Sequence, residues 1–158
     1  ARSTNWGGGE PCVDSWEGVR CCPEDYPVLG RDGSCHNAVR SSHLGEWSAA
    51  ERCAPAQGPS AGPSRCVVVE LELASNGLAG PLTLDGLAGL PHLQRLSVVN
   101  NSLSGALPCA APPRSDAERR ACASFLPALS AAELSNNDFG GALPAWLVRG
   151  TLSVARLD

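Results

Sequence analysis

The sequence predicts a solenoid of α/β-type repeats, in which short strands stack into a parallel sheet on the concave side and 3₁₀ or coil segments form the return limbs. Three observations predict it. One apolar frame around an asparagine occurs three times, alternate leucines precede the asparagine, and leucines at intervals of three follow it. Six cysteines among the first 66 residues also predict an amino-terminal region stapled by disulfides.

The asparagine frame defines the repeat. Asn76, Asn101 and Asn137 each have an apolar residue three positions before them, another two positions after, glycine four after and leucine six after. The spacings are 25 and 36 residues, so the second interval contains an insertion. We expect each asparagine to point inward and to bond the turn and the adjacent coil, because an unpaired buried backbone group costs about 1–3 kcal/mol. The glycine should allow a backbone shape or a close approach that a side chain would obstruct.

An alternative to the repeat is a series of Asn-Gly hairpin turns, but only Asn76 is followed by glycine. Alternate leucines such as Leu71 and Leu73 instead predict short strands with one buried face. Such a repeat buries neither its strand face nor its return limb alone, so neighbours must stack. The return limb predicts a loosely helical or 3₁₀ segment with a buried edge that comprises Leu84, Leu87, Leu90, Leu93 and Leu96.

The insertion spans residues 109–125 and contains a second local signal. Ser115 and Glu118 have the spacing of a capping box before a short helix. A bond between Cys109 and Cys122 would clip the insertion to the solenoid. We interpret it as a presented loop, and an insertion merely tolerated on the surface is the alternative.

The carboxyl end predicts the start of a fourth repeat. In LSVARLD, Val154 and Leu157 are aligned with Leu93 and Leu96. An open end would expose core residues, so we expect these residues to belong to a longer protein or assembly.

Composition excludes several classes of protein. No apolar run approaches the roughly 18 residues of a membrane span, since Glu70 and Glu72 interrupt the most apolar stretch. The net charge is −4 and the arginines are scattered, which argues against nucleic acid as a partner. No membrane contact by this segment is expected either.

The cysteines predict an oxidising compartment. Eight cysteines without a thioredoxin-type C-x-x-C favour disulfides and a secreted or cell-surface location, with any signal sequence already removed. A zinc site is the alternative, and the residues that would form it are Cys22, Cys35, His36 and Cys53. Paired C-x-x-C spacing is absent, so we expect no metal and no cofactor.

These residues resemble the plant-type extracellular leucine-rich repeat family. LQRLSVVNNSLSGALP meets the family pattern L-x-x-L-x-L-x-x-N-x-L-x-G-x-L-P, while the third unit has Ala132 where leucine is usual and the first has Pro81 before Leu82. Upstream, NWGGGEPCVDSWEGVRC is similar to the family's amino-terminal cap, through Trp6, Cys12, Trp16, Gly18, Val19 and Cys21.

The resemblance implies two domains. Residues 1–66 would be a cysteine-rich cap with an inserted loop region, and residues 67–158 about three leucine-rich repeats and the start of a fourth. It also implies a Cys12–Cys21 disulfide, and it leaves three alternative pairings for Cys22, Cys35, Cys53 and Cys66. Ser48 and Glu51 form a second capping-box signal within the inserted region.

Residues between the strand leucines should face the concave side, where the resemblance implies that protein, peptide or glycan partners bind. The predicted partner-binding residues are Glu70, Glu72, Arg95, Ser97, Val99, Glu133 and Ser135. Ladder neighbours would form an acidic column of Glu72, Ser97, Glu133 and Asp158, next to a column with Arg95 and Arg156. A solvated charged face is the alternative.

Asn100-Asn101-Ser102 is a glycosylation sequon, and Asn100 should point outward because its neighbour points inward. No catalytic residue is predicted, since His36, His43 and His92 lie in no nucleophile or metal motif, and Glu133 with Asp138 is more typical of a solvated pair.

The sequence therefore predicts a non-enzymatic recognition module of a receptor-like or cell-surface protein of plant or algal type. The alternatives are a structural subunit of a larger extracellular or lumenal assembly, and a secreted inhibitor of a hydrolase.

Overall fold

The computed structural model describes residues 11–12, 16–24, 27–28, 30, 35 and 66–148, and the backbone of residues 154–156. The chain divides into two compact units, residues 3–70 and residues 71–158 with residues 1–2. The second capping-box signal, at Ser48 and Glu51, lies outside the described residues.

The unit of residues 3–70 contains strand β1 (Val19–Pro23) and the first five residues of strand β2 (Cys66–Glu72). Gly18 has φ 78°, a left-handed conformation that leads the chain into β1. Two disulfides join Cys12 to Cys21 and Cys22 to Cys35. The first is the pair that the resemblance implied.

The second disulfide gives the pairing of two of the four cysteines whose partners the sequence left open. Cys22 and Cys35 are bonded to each other, which removes two thiolates from the alternative zinc site. Cys66 is also disulfide-bonded. The remaining zinc candidates, His36 and Cys53, lie outside the described residues.

The unit of residues 71–158 is built on two sheets that contain parallel strand pairs. In the first sheet, β2, β4 (Arg95–Ser97), β6 (Ala131–Glu133) and β8 (Val154–Arg156) are neighbours in that order. In the second, the order is β3 (Ala79–Pro81), β5 (Ser102–Ala106) and β7 (Asp138–Gly140). The β4–β6, β6–β8, β3–β5 and β5–β7 pairs are all parallel.

Three short helices connect these strands. Helix α1 (Leu84–Ala88) follows β3, helix α2 (Asp116–Ala123) follows β5, and a 3₁₀ helix (Ala145–Leu147) follows β7. Thr83 caps α1 by accepting the N–H of Gly86 on its hydroxyl, at 3.4 Å. On this limb, Leu87 and Leu93 are buried, whereas Leu84 and Leu90 are half-buried.

The core lies between the two sheets and the return limbs. Leu96 and Val98, two residues apart along the chain and therefore on one face, are 2% and 1% exposed. The other fully buried or nearly buried members include Leu93, Leu103, Leu107, Leu129, Ala132 and Leu134. Ala132 is paired in register with Leu96 and is itself 0% exposed, so the departure from leucine does not open the core to solvent.

The register of β8 corrects one expectation. Val154 pairs with Ala131, which pairs with Arg95, and Arg156 pairs with Glu133. Val154 therefore occupies the position of Arg95 rather than that of Leu93, a shift of two residues. Alternation cannot detect such a shift, because a two-residue slip leaves every side chain on the same face.

The predicted acidic column is wrong at its last member for the same reason. The register position beside Glu133 belongs to Arg156 and not to Asp158.

Candidate interaction surface

The asparagine side chains join successive repeats through hydrogen bonds to backbone groups. The side-chain oxygen of Asn101 accepts the backbone N–H groups of Asn76 and Leu78, both at 3.0 Å. Its amide nitrogen donates to the carbonyls of Leu73 at 2.9 Å and Val98 at 2.8 Å. One side chain thus pairs backbone groups on its own coil and on the coil 25 residues earlier, which the bent backbone leaves without strand partners.

Asn137 repeats this arrangement one coil later. Its oxygen accepts the N–H of Leu103 at 3.1 Å, and its nitrogen donates to Val98 O at 2.8 Å and Leu134 O at 3.0 Å. Asn76 differs, since among the described residues its amide nitrogen reaches only Ala74 O, at 3.5 Å. The two later asparagines therefore carry the inter-coil bonds.

Each asparagine is framed by two left-handed residues. The residue before it, Ser75, Asn100 or Asn136, has φ of 55–56°, and the glycine four residues after it has φ of 82–92°. A Cβ at Gly80 or Gly105 would meet nothing within 4 Å. Glycine is therefore favoured at this position by its left-handed backbone conformation, and not by the close approach of another group.

The predicted partner-binding residues fall in two units. Glu70 belongs to the unit of residues 3–70, where it is half-buried and forms an ion pair with Arg20 at 3.0 Å. The other six lie on β2, β4 and β6 or directly after them: Glu72, Arg95, Ser97, Val99, Glu133 and Ser135. They are described below as the sheet face.

The structure brings the sheet-face residues into two rows. Ser97 pairs in register with Glu133, and the Leu73 N–H donates to Ser97 O at 2.8 Å, which puts Glu72 next to this row. Val99 and Ser135 form the row at the carboxyl ends of the strands, where the Asn100 N–H donates to Ser135 O at 3.2 Å.

Exposure differs sharply along the sheet face. Glu72 is exposed, and Arg95, Val99, Glu133 and Ser135 are half-buried. Ser97 is only 8% exposed, so it offers a partner little surface. Its side chain is short and lies beside the longer Glu133 in register, so solvent reaches little of it.

The insertion presents α2 to solvent. Ser115 caps the helix by accepting the Glu118 N–H at 3.1 Å, and the Glu118 carboxylate accepts the N–H of Arg114 at 2.6 Å. This arrangement is a capping box shifted by one residue, since the carboxylate reaches the residue before the cap. A disulfide joins Cys109 to Cys122, and no side chain of α2 is buried.

Two aromatic residues that sequence reasoning missed anchor the insertion. Phe125 and Trp146 are 2% and 3% exposed, and their ring centroids lie 5.5 Å apart in an edge-to-face arrangement. The indole N–H of Trp146 donates to Pro108 O at 2.7 Å. The signal in the sequence was that aromatic residues make up only 4% of the chain, so each one could have been examined as a core residue.

The last described coil leaves apolar side chains exposed. Leu143 and Val148 are 58% and 66% exposed. Leu143 is six residues after Asn137, whereas Leu107, six residues after Asn101, is buried. A cavity of about 150 Å³ opens beside Leu143 and is lined by Leu107, Leu134, Asn137, Phe139 and residues 140–142.

Asn100 of the sequon is exposed. Its side-chain oxygen accepts the amide N–H of Asn136, also exposed, at 2.7 Å. Sequence reasoning did not identify this partner, although the doubled asparagines at 100–101 and 136–137 were a signal.

Comparison with family models, curated proteins and solved structures gives no match, so function has to be inferred from the residues and geometry of this chain. Within the described residues, no helix is long and apolar enough to cross a membrane. The same residues contain no group of three or more His, Cys, Asp or Glu side chains that could hold a metal ion.

Proposed function

We propose that the chain is an extracellular leucine-rich-repeat recognition module of a receptor-like or cell-surface protein of plant or algal type, and that it binds a protein, peptide or glycan without catalysis. The observation that carries the proposal is the pair of equivalent asparagines. Asn101 and Asn137 each bond their own coil and the preceding one, at the positions that the family pattern reserves for asparagine.

The disulfides support the extracellular location. Cys12–Cys21, Cys22–Cys35 and Cys109–Cys122 are joined, which is consistent with an extracellular protein because thiols stay reduced in most cytosolic compartments. In the proposal the chain is secreted or displayed at the cell surface, and Asn100 carries a glycan.

The binding surface in this proposal combines the sheet face with α2. Strands lie about 4.8 Å apart, so four strands span only about 15 Å. A face about 15–20 Å on a side covers about 200–400 Å², well short of the roughly 800 Å² per partner of a standard interface. Helix α2 can supply the missing area, since residues 114–120 are all exposed and the helix is held at both ends by local bonds.

A photocrosslinking experiment tests the proposal. The photoreactive residue p-benzoylphenylalanine is introduced singly at Glu133 on the sheet face, at Arg120 on α2, and at Asp85 on α1 as a control. The full chain is then secreted from plant cells. We expect discrete adducts from the first two positions and none from Asp85. Absence of adducts at Glu133 and Arg120 would contradict the recognition function.

A structural subunit is the second candidate, and the exposed apolar residues of the last described coil favour it. Leu143 borders a cavity that a packed partner would fill, and Val148 is a second exposed apolar side chain five residues later. The same reagent at Val148 discriminates the two, because a subunit would give a stoichiometric adduct there in the native assembly.

A further inference from the structure

A hydrogen bond to its oxygen fixes the side-chain amide of Asn100, and its nitrogen points to solvent. Asn136 donates to Asn100 Oδ1 at 2.7 Å. Within the described part of the chain, Asn100 Nδ2 makes no hydrogen bond. The oxygen is thus paired and the nitrogen faces solvent.

The backbone fixes the same orientation. Asn100 and Asn136 have φ of 55° and 56°, and the Asn100 N–H donates to Ser135 O at 3.2 Å. Two equivalent left-handed positions on adjacent coils therefore hold the two amides side by side. Asparagine tolerates this conformation better than most residues, so the pair carries little backbone strain.

Attachment of a glycan is compatible with this geometry. Transfer from a polyprenyl-pyrophosphate-linked oligosaccharide forms a bond between Nδ2 and the anomeric carbon, and breaks the bond from that carbon to the pyrophosphate. One proton leaves Nδ2 as the pyrophosphate departs. The carbonyl oxygen takes no part in the product bond, so it can still accept from Asn136.

Transfer has to precede folding of this coil. Asn101, the central residue of the sequon, makes five side-chain hydrogen bonds, and the Ser102 N–H donates to Leu78 O at 2.7 Å. These bonds lock the segment that a transferase must engage as an accessible peptide. Ser102 itself is exposed, so its hydroxyl does not contribute to packing of the core.

We propose that Asn136 is a positioning residue for an N-linked glycan on Asn100, which it holds at the carboxyl ends of β4 and β6. The glycan then screens the row of Val99 and Ser135 and leaves the row of Glu72 and Glu133 open, together with α2. This inference rests on the proposed extracellular function and narrows the surface on which a partner binds.

Intact mass tests the glycan itself. The full chain is secreted from a plant host as wild type, Ser102→Ala and Ser102→Thr. We expect wild type and Ser102→Thr to lose mass on enzymatic deglycosylation, because both keep the Asn-x-Ser/Thr sequon, and Ser102→Ala to lose none. A wild-type mass that does not change, in a protein whose cysteines resist alkylation, would overturn this inference and leave the extracellular location standing. Free thiols would instead contradict the proposed location.

The positioning role needs a separate readout. We expect native enzymatic deglycosylation to be about threefold to tenfold faster in Asn136→Ser, the factor that one exposed hydrogen bond corresponds to, with a melting temperature lowered by no more than about 4 °C. Ser75 shows that serine fits this left-handed position. Asn136→Gly should give the same acceleration, and the control Asp138→Asn none. Equal rates in Asn136→Ser and wild type, or acceleration in only one of the two Asn136 variants, would overturn the positioning role.

Discussion

Trp146 donates its indole N–H to the carbonyl of Pro108, 38 residues earlier, at 2.7 Å. Pro108 immediately precedes Cys109, the first residue of the insertion, and Trp146 also packs edge-to-face on Phe125 at its other end. The two ends of the insertion are therefore fixed by one side chain of the following coil.

Replacing Trp146 with phenylalanine removes the indole N–H and part of the buried ring, and keeps an aromatic ring next to Phe125. We expect Trp146→Phe to lower the free energy of unfolding by about 1–3 kcal/mol, because the buried Pro108 carbonyl loses its donor. Urea unfolding of the full chain measures it. Ala145→Ser, at an exposed position on the same 3₁₀ helix, should change stability by less than about 0.5 kcal/mol. Equal effects of the two variants would mean that the indole bond contributes nothing.

The first two asparagines of the series should differ in their contribution to stability. Asn101→Ala leaves the N–H groups of Asn76 and Leu78 without an acceptor, and we expect a loss of about 2–3 kcal/mol. Asn76→Ala removes only a 3.5 Å contact to Ala74 O and should cost less than about 1 kcal/mol.

Asn101→Asp keeps one acceptor but turns its second carboxylate oxygen toward the carbonyls of Leu73 and Val98, so we expect it to be no more stable than Asn101→Ala. Urea unfolding ranks the three variants. A loss at Asn76 as large as that at Asn101 would contradict the inter-coil role.

The contacts of Asn101 could be predicted from the sequence because a frame that occurs three times specifies equivalent positions, and an inward amide has few partners other than backbone groups. The hydrogen bond between Trp146 and Pro108 could not, since a proline carbonyl has no sequence signature and the partners are far apart in the chain. The alternation of apolar and polar residues could not predict the register of β8 either, because Val154 fits two positions that differ by two residues. Asn136 was missed because its role depends on the rotation of a surface amide.

Two glycines provide a pair of variants with opposite expected signs. Gly105 has φ 82°, so Gly105→Ala should destabilise the fold by about 1–2 kcal/mol although space for the methyl group is open. Gly89 ends α1 with φ −76° and equally open space, so Gly89→Ala should stabilise it by about 0.4–1 kcal/mol. Thermal unfolding of both variants measures the difference. A stabilising Gly105→Ala would show that the left-handed backbone at this position is not required.

The disulfide between Cys109 and Cys122 should control the order of α2 more than the stability of the sheets. It closes a loop with a sequence separation of 13, which corresponds to about 3 kcal/mol in the chain-entropy model. Helix α2 buries no side chain, and the Asp116–Arg119 ion pair is exposed, so we expect the helix to unfold locally more easily without the bond. We expect the Cys109→Ser/Cys122→Ser variant to be cut by trypsin after Arg119 or Arg120 at least tenfold faster than wild type, because loss of even about 1.4 kcal/mol raises the open population that much.

Cleavage after Arg95, which is half-buried on β4, should stay slow in the same sample and serves as the internal control. Parallel acceleration at Arg95 would mean that the disulfide holds the sheet rather than the insertion. Unchanged cleavage within α2 would mean that Phe125 and Trp146 alone suffice to order it.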